Sequence, residues 1–201
     1  MGYDAPCTLR FERRIIRGKA LLEQHELIGR GDERVVIPIN AVTSAVAKDG
    51  VLTLRFGRKT AALELGVDAV KWAKRITHPP SRLDKLGAKP GMSTLVAGVT
   101  HDDLIDELKT RGLEVAASSR GTFTLIFFGA EHRDDLHKLM DLRQRLKPNG
   151  ALWVIRPKGS KAITEAEVMS AGKRAGLVDV KVASFSATHT AEKFVIPVAA
   201  R

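Results

Sequence analysis

The paired prolines of His78-Pro79-Pro80-Ser81 constrain the fold more than any other feature of this sequence. Proline has no N–H to donate and pushes the preceding residue out of the helical region, so no regular element runs through them. The hydrophobic period also differs on the two sides. Before residue 78 apolar and polar residues mostly alternate, whereas after residue 82 short apolar runs alternate with helix-period segments. The expected organisation is a domain over 1–77, a linker over 78–82 and a second domain over 83–201. At 201 residues, two small domains fit the usual size range.

In the first domain Leu52, Leu54 and Phe56 alternate with Thr53 and Arg55, as in a half-buried strand. Asp49-Gly50 and Gly57-Arg58 flank it as hairpin turns, and Lys59–Leu65 resumes the alternation. Further strands are expected over Thr8–Ile16, Ala20–Ile28 and Arg34–Ile39, and around Val42–Ala47. Pro38 cannot donate to a ladder and marks an edge or a strand end. Asp68–Ile76 changes to helical spacing, with Ala69, Trp72, Ala73 and Ile76 on one side.

Strands closed by one C-terminal helix carrying Trp72 resemble the pleckstrin-homology-like fold. That resemblance implies an α+β unit, a small barrel with a C-terminal helix, and binding of phosphoinositides, peptides or protein surfaces. Arg13, Arg14, Arg17 and Lys19 lie near the first strand connection, where phosphate-binding members of that fold carry basic residues. They also read as a solvated, charged edge that discourages aggregation. A protein partner, or packing between domains, is the expected use of this half.

The second domain alternates strand and helix, which argues for a mostly parallel sheet. Thr94–Gly98, Leu113–Ala117, Phe123–Phe128 and Ala151–Ile155 read as strands, with two final strands over Val178–Phe185 and Glu192–Val198 around the turn Ser186–Thr190. A helix opens at Thr100-His-Asp-Asp103, with Leu104, Ile105 and Leu108 inward and Gly112 ending it. Another spans Arg133–Leu146 with Leu136, Leu139, Met140 and Leu146 inward, followed by a turn at Pro148-Asn149-Gly150. Thr164-Glu-Ala-Glu167 is a capping box for a third helix, closed by Gly176.

A helix followed by a two-strand hairpin, with Leu146-Lys-Pro-Asn-Gly-Ala-Leu-Trp-Val154 leading into the fifth strand, resembles the class I methyltransferase fold. Leu86-Gly-Ala-Lys-Pro-Gly-Met92 and Ala175-Gly-Leu-Val-Asp-Val-Lys-Val182 are similar to an uncharacterised bacterial family with a truncated, Rossmann-like, methyltransferase-type α/β domain. The resemblance implies S-adenosylmethionine as a cofactor, held by three local features. Of the glycine-rich turn after strand one only Gly98 remains, in Gly98-Val-Thr-His-Asp102, and Asp102 and Asp103 bring negative charge to the helix end. The ribose-binding acid after strand two is replaced by Ala116-Ala-Ser-Ser-Arg120. The end of strand four reads Phe127-Phe-Gly-Ala130, without a catalytic side chain, and the chain leaves no room for strand three and its helix.

Other chemistry is sparse. The lone Cys7 cannot form an internal disulfide, and His132 and His137, five apart, fall on different helix faces, so no metal site is expected. No nucleophile elbow or phosphate loop occurs. Met1–Cys7 has no basic start followed by an apolar stretch, and Pro6 stands where a myristoylated N-terminus usually has Ser or Thr, so neither a secretory signal nor lipidation is expected. No apolar run is long enough for a membrane helix, and a cytoplasmic location is expected. Net charge is +10, shared evenly: 14 basic against 9 acidic residues before Ser81, and 19 against 14 from there on. Such charge attracts polyanions weakly, but few aromatics accompany it. Beyond the carboxyl ends of the strands, Lys158, Ser160, Lys161, Thr188, His189 and Thr190 are expected around one crevice suited to a small anion or an acidic segment. The expected function is a non-catalytic accessory protein. A divergent methyltransferase using Gly98 and a nucleic-acid-binding protein are the alternatives.

Overall fold

The computed structural model describes residues 3–23, 25–101 and 103–200. Contacts divide the chain into two compact units, Met1–Pro80 and Ser81–Arg201. Among the described residues no helix is long and apolar enough to cross a membrane.

The first unit is one seven-stranded antiparallel sheet and one helix. Its strands are β1 (Tyr3–Phe11), β2 (Arg14–Leu22), β3 (Glu26–Arg30), β4 (Arg34–Pro38), β5 (Val42–Lys48), β6 (Val51–Phe56) and β7 (Lys59–Glu64), ordered β4-β3-β2-β1-β7-β6-β5. Helix α1 (Asp68–Thr77) packs on β5 and β6. Its Ala69, Trp72, Ala73 and Ile76 are all buried, as their spacing requires, among Leu9, Leu27, Ile37, Leu52, Leu54 and Leu63. Pro38 ends β4, itself an end strand, where a missing donor costs least.

Where a small barrel with a C-terminal helix is expected, the structure shows one large antiparallel sheet whose ladder has β4 and β5 as its ends, followed by that helix. One expectation changes here. The strands expected over Thr8–Ile16 and Ala20–Ile28 each run across a hairpin turn. Phe11 pairs with Arg14 around Glu12-Arg13, and Glu12 takes the left-handed region at φ 56 without being glycine. A tight turn built from charged residues gives no glycine signal to read.

The second unit begins with α2 (Arg82–Leu86), whose cap Ser81 and first residue Arg82 fall in what reads as linker. Ser81 Oγ accepts from Asp84 N–H while the Asp84 carboxylate accepts from Ser81 N–H, so this short helix carries its own capping box. Then come β8 (Ser93–Ala97), α3 (Asp103–Thr110), β9 (Glu114–Val115), β10 (Phe123–Gly129) and a 3₁₀ turn over Arg133–Lys138 that continues as α4 (Leu139–Gln144). The chain closes through β11 (Leu146–Pro157), α5 (Glu165–Arg174), β12 (Val178–Ser184) and β13 (His189–Val195). The sheet order is β12-β13-β11-β10-β8-β9. Strands β8 to β11 are parallel, and the terminal hairpin enters antiparallel to β11. One face packs Ile126, Phe128, Leu152 and Phe194 against α4 and α5; the other packs Phe127, Trp153 and Ile155 against α2 and α3. Trp153 Nε1 donates to the Leu86 carbonyl at 3.0 Å, which satisfies the indole in a fully buried position.

Several local expectations are corrected. Ile105 and Met140 are exposed, not inward. The helix expected over Arg133–Leu146 is two shorter helical segments, and Leu146 already starts β11. Pro148-Asn149-Gly150 is no turn between elements but part of a bulge in β11: Leu146 pairs with Phe123 and Ala151 with Leu125. A Cβ on Gly150 would lie 2.9 Å from the Thr124 carbonyl oxygen, so the bulge depends on that close approach. The last strand starts at His189, three residues before the expected Glu192, which places His189 and Thr190 in the ladder opposite Pro157 and Arg156.

The Asp84 cap also sets an acid limit. Arg111 at 2.6 Å and the Ser81 hydroxyl and amide hold its carboxyl down from the ordinary 3.8 to about 2. A depressed carboxylate contributes stability that is complete above its ordinary value and is lost as pH falls through the depressed one. The stability gap between the wild type and Asp84→Asn is therefore expected to close between about pH 4 and pH 2, read as urea midpoints across that range. A gap independent of pH would show that the carboxylate charge contributes nothing.

Candidate functional site

In an open α/β sheet a ligand sits beyond the carboxyl ends of the strands, where the strand order reverses. Here that point lies between β8 and β10. Gly98 follows β8 at φ +66, and Gly129 ends β10. A Cβ on Gly98 would lie 3.0 Å from the Gly129 carbonyl oxygen, and one on Gly129 would overlap the Gly98 carbonyl. Close approach of the two strand ends thus requires glycine at both positions without reference to a ligand.

Side chains from three loops converge over this point. His101, between β8 and α3, meets the His189 ring edge-on at 4.6 Å and the Phe185 ring edge-on at 4.9 Å. His101 Nε2 is 3.3 Å from Ser186 Oγ. His189 Nε2 is 3.3 Å from Glu131 Oε1, just past β10, and its Nδ1 is 2.9 Å from Thr188 Oγ1. Arg82 stacks on Phe185 at 4.8 Å and pairs with Asp103 and Glu107. Burial, then the neighbouring His189, pushes the His101 pKa down, while Asp103 and Glu131 oppose that shift. His101 is therefore a neutral imidazole at pH 7, able to donate from one ring nitrogen and accept at the other.

The six residues expected around the crevice are only partly brought together. Thr188, His189 and Thr190 belong to the hairpin, and Lys158 joins them because its N–H donates to the Thr188 carbonyl. The Lys158 ammonium is already engaged, donating to Ser184 Oγ and to the Ser186 and Ala187 carbonyls. Thr190 donates to the Ala183 carbonyl, and Ser160 Oγ accepts from Ala162 N–H on the loop before α5. Lys161 is exposed on that same loop. Sequence reasoning missed Glu131 and assigned His101 to a helix start. A histidine and a glutamate just past two neighbouring strand ends were the available signal.

The methyl-donor features can be compared with the local geometry. Asp103 is engaged by Arg82; Asp102 lies outside the described residues. Residues 116–122, after β9, contain no carboxylate to grip a ribose. Among the described residues no three His, Cys, Asp or Glu side chains converge to hold a metal ion.

On the opposite face of the sheet, Arg156 of β11 reaches Glu192 of β13 at 2.8 Å, with Glu165 a further 3.7 Å away. Glu192 is wholly buried, and neither carboxylate oxygen has a partner of good hydrogen-bond geometry. Burial pushes the Glu192 carboxyl up, outweighing the lowering by Arg156. This pair braces the hairpin beneath the mouth.

A family model described as "Protein of unknown function (DUF3052)" matches residues 92–198. No curated protein matches the sequence. Among solved structures, a S-adenosylmethionine-dependent methyltransferase from Aquifex aeolicus shares 17% identity at a TM-score of 0.43, over 61% of this chain and 93% of that one. A TehB-like methyltransferase from Corynebacterium glutamicum shares 15% at 0.39, over 64% and 96%. A fibrillarin pre-rRNA processing protein from Methanococcus jannaschii shares 10% at 0.41, over 94% and 97%. None of these likenesses is close enough to bear on activity.

Proposed function

The chain belongs to the DUF3052 family of proteins of unknown function, and on that footing we propose that it is a non-methylating binding protein. Its second unit takes a small polar or anionic ligand at the strand ends, and its first unit docks a protein partner. The observation that carries this reading is the cluster His101–His189–Glu131 over the β8–β10 switch point. There a cofactor-binding scaffold would hold its ligand. Instead, side chains of the protein meet across it, with no acid placed for a ribose and the first-strand glycine packed on its neighbour. Donors remain at the rim in Ser186, Thr188 and His189.

A divergent methyltransferase is the second reading, favoured by the order of the sheet and by Gly98 at the end of β8. Calorimetric titration of the full chain with S-adenosylmethionine separates the two. No heat of binding at millimolar ligand is expected. Micromolar affinity that Gly98→Val abolishes would establish the second reading instead.

A further inference from the structure

Three cations stand directly opposite one another across neighbouring strands of the first unit. Lys19 of β2 pairs in register with Arg30 of β3, and Arg30 with Arg34 of β4. All three are exposed, and Arg17, two residues before Lys19 and so on the same face, is exposed as well. Directly opposed residues sit about 5 Å apart, where like charges destabilise a sheet. No ion pair within 4 Å relieves any of the three among the described residues. Acids near the row do not close an ion pair with it: Glu33 is bound by Arg14, Asp4 belongs to the next row, opposite Leu21, and Asp4 and Glu23 line the same shallow depression as Lys19 and Arg30.

From this row we infer that the outward face of β2–β4 binds the phosphate backbone of double-helical nucleic acid. An unrelieved row of like charge is stable only with counterions, and their release on meeting phosphates drives association. The outward positions of these strands, Ile15, Arg17, Lys19, Leu21, Glu26, Ile28, Arg30, Arg34, Val36 and Pro38, include one acid, Glu26, which stands opposite Pro38 at the far end from the cations. They include no aromatic residue, so unpaired bases find no stacking platform. That favours a duplex, which presents phosphates alone to such a face. A lipid surface fits less well: Ile28, at the centre, is flush at 4% exposure, and the exposed apolar residues of this face, Ile15 and Val36, are separated, one on β2 beyond its pairing with β3 and the other on the end strand β4. The chain's net charge of +10 adds long-range attraction.

The test is fluorescence anisotropy of the full chain with a labelled 20-base-pair duplex across salt concentrations. Each phosphate contact contributes about 0.9 to the slope of log K against log salt, so Lys19→Ala/Arg30→Ala/Arg34→Ala is expected to flatten the slope by about 2.7. At 0.1 M salt it should weaken binding roughly a hundredfold or more. The same variant should melt no lower than the wild type, because repulsion is removed. A control of equal charge change, Lys48→Ala/Arg55→Ala/Arg58→Ala, should leave most of the slope in place. Equal losses in both variants would reduce the effect to diffuse charge and overturn the assignment. So would failure of the wild type to bind duplex at 50 mM salt, or binding to phosphatidylserine vesicles without binding to duplex.

Discussion

Arg156→Ala is expected to destabilise the second unit by about 3–5 kcal/mol, the usual cost of removing one partner from a buried ion pair. The side chain of Arg156 is 9% exposed and that of Glu192 is not exposed at all. Without the guanidinium the buried carboxylate loses its ion-pair partner and keeps the repulsion of Glu165, so it must take up a proton or admit water. Its pKa already lies above the ordinary carboxylate range in the wild type, so removing Arg156 moves it higher still. The sign of the pH effect follows. A carboxyl that binds its proton more tightly folded than unfolded gains stability as pH falls from neutral through the raised value, until the unfolded state is protonated too. Arg156→Ala should therefore be least stable near neutrality and partly recover under mildly acidic conditions. The double variant Arg156→Met/Glu192→Leu should regain most of the loss, since desolvating two charges is itself expensive. Thermal melts at several pH values check all three statements. An Arg156→Ala protein within about 1 kcal/mol of the wild type at pH 7 would mean that the pair is already hydrated and contributes little.

Gly129→Ala is the second large effect, expected at about 3 kcal/mol. The added methyl would overlap the Gly98 carbonyl oxygen, and it would lie 2.7 Å from the Gly98 carbonyl carbon and 2.9 Å from Val99 Cα. All three atoms are backbone, so no rotamer change relieves the clash. The end of the β8–β10 ladder, where Ala97 pairs with Phe128, must open. Because His101 and Glu131 flank these strand ends, the movement should also shift the His101 ring resonances. The comparison variant is Gly172→Ala, whose methyl would press first on the Phe194 ring, a side chain and not backbone. It should cost less if the ring can turn aside, and it should leave His101 undisturbed. A Gly129→Ala protein that melts with the wild type would show that the strand ends have slack the geometry denies.

Much of this fold is legible in local sequence. The β6–β7 hairpin follows from Gly50, Gly57 and the alternation between them, and both glycines take positive φ. The α5 capping box of Thr164 and Glu167 is present as spaced. Illegible turns were those, like Glu12-Arg13, that use charged residues where glycine is usual. Ile105 and Met140 misled because helical period says which residues share a face, not how far the neighbouring sheet covers it. The Gly150 bulge reads locally as a turn; only its pairing with β10 makes it part of a strand.

The candidate site was less legible. Gly98, His189 and Thr188 were singled out from sequence, yet Lys158 turns its charge inward to the hairpin carbonyls. His101, Glu131 and His189 stand far apart in sequence and meet only because β8, β10 and β13 end at one mouth.

What the sequence determined alone was therefore local: the break at Pro79-Pro80, the period of each element, the caps, and the absence of a carboxylate from residues 116–122 after β9. These follow from backbone sterics and side-chain identity within a few residues. Which charges are paired, which glycine is wedged against a neighbouring strand, and which histidines touch were decided by tertiary structure. Each depends on the register between distant strands, and register arises from packing the whole sheet at once.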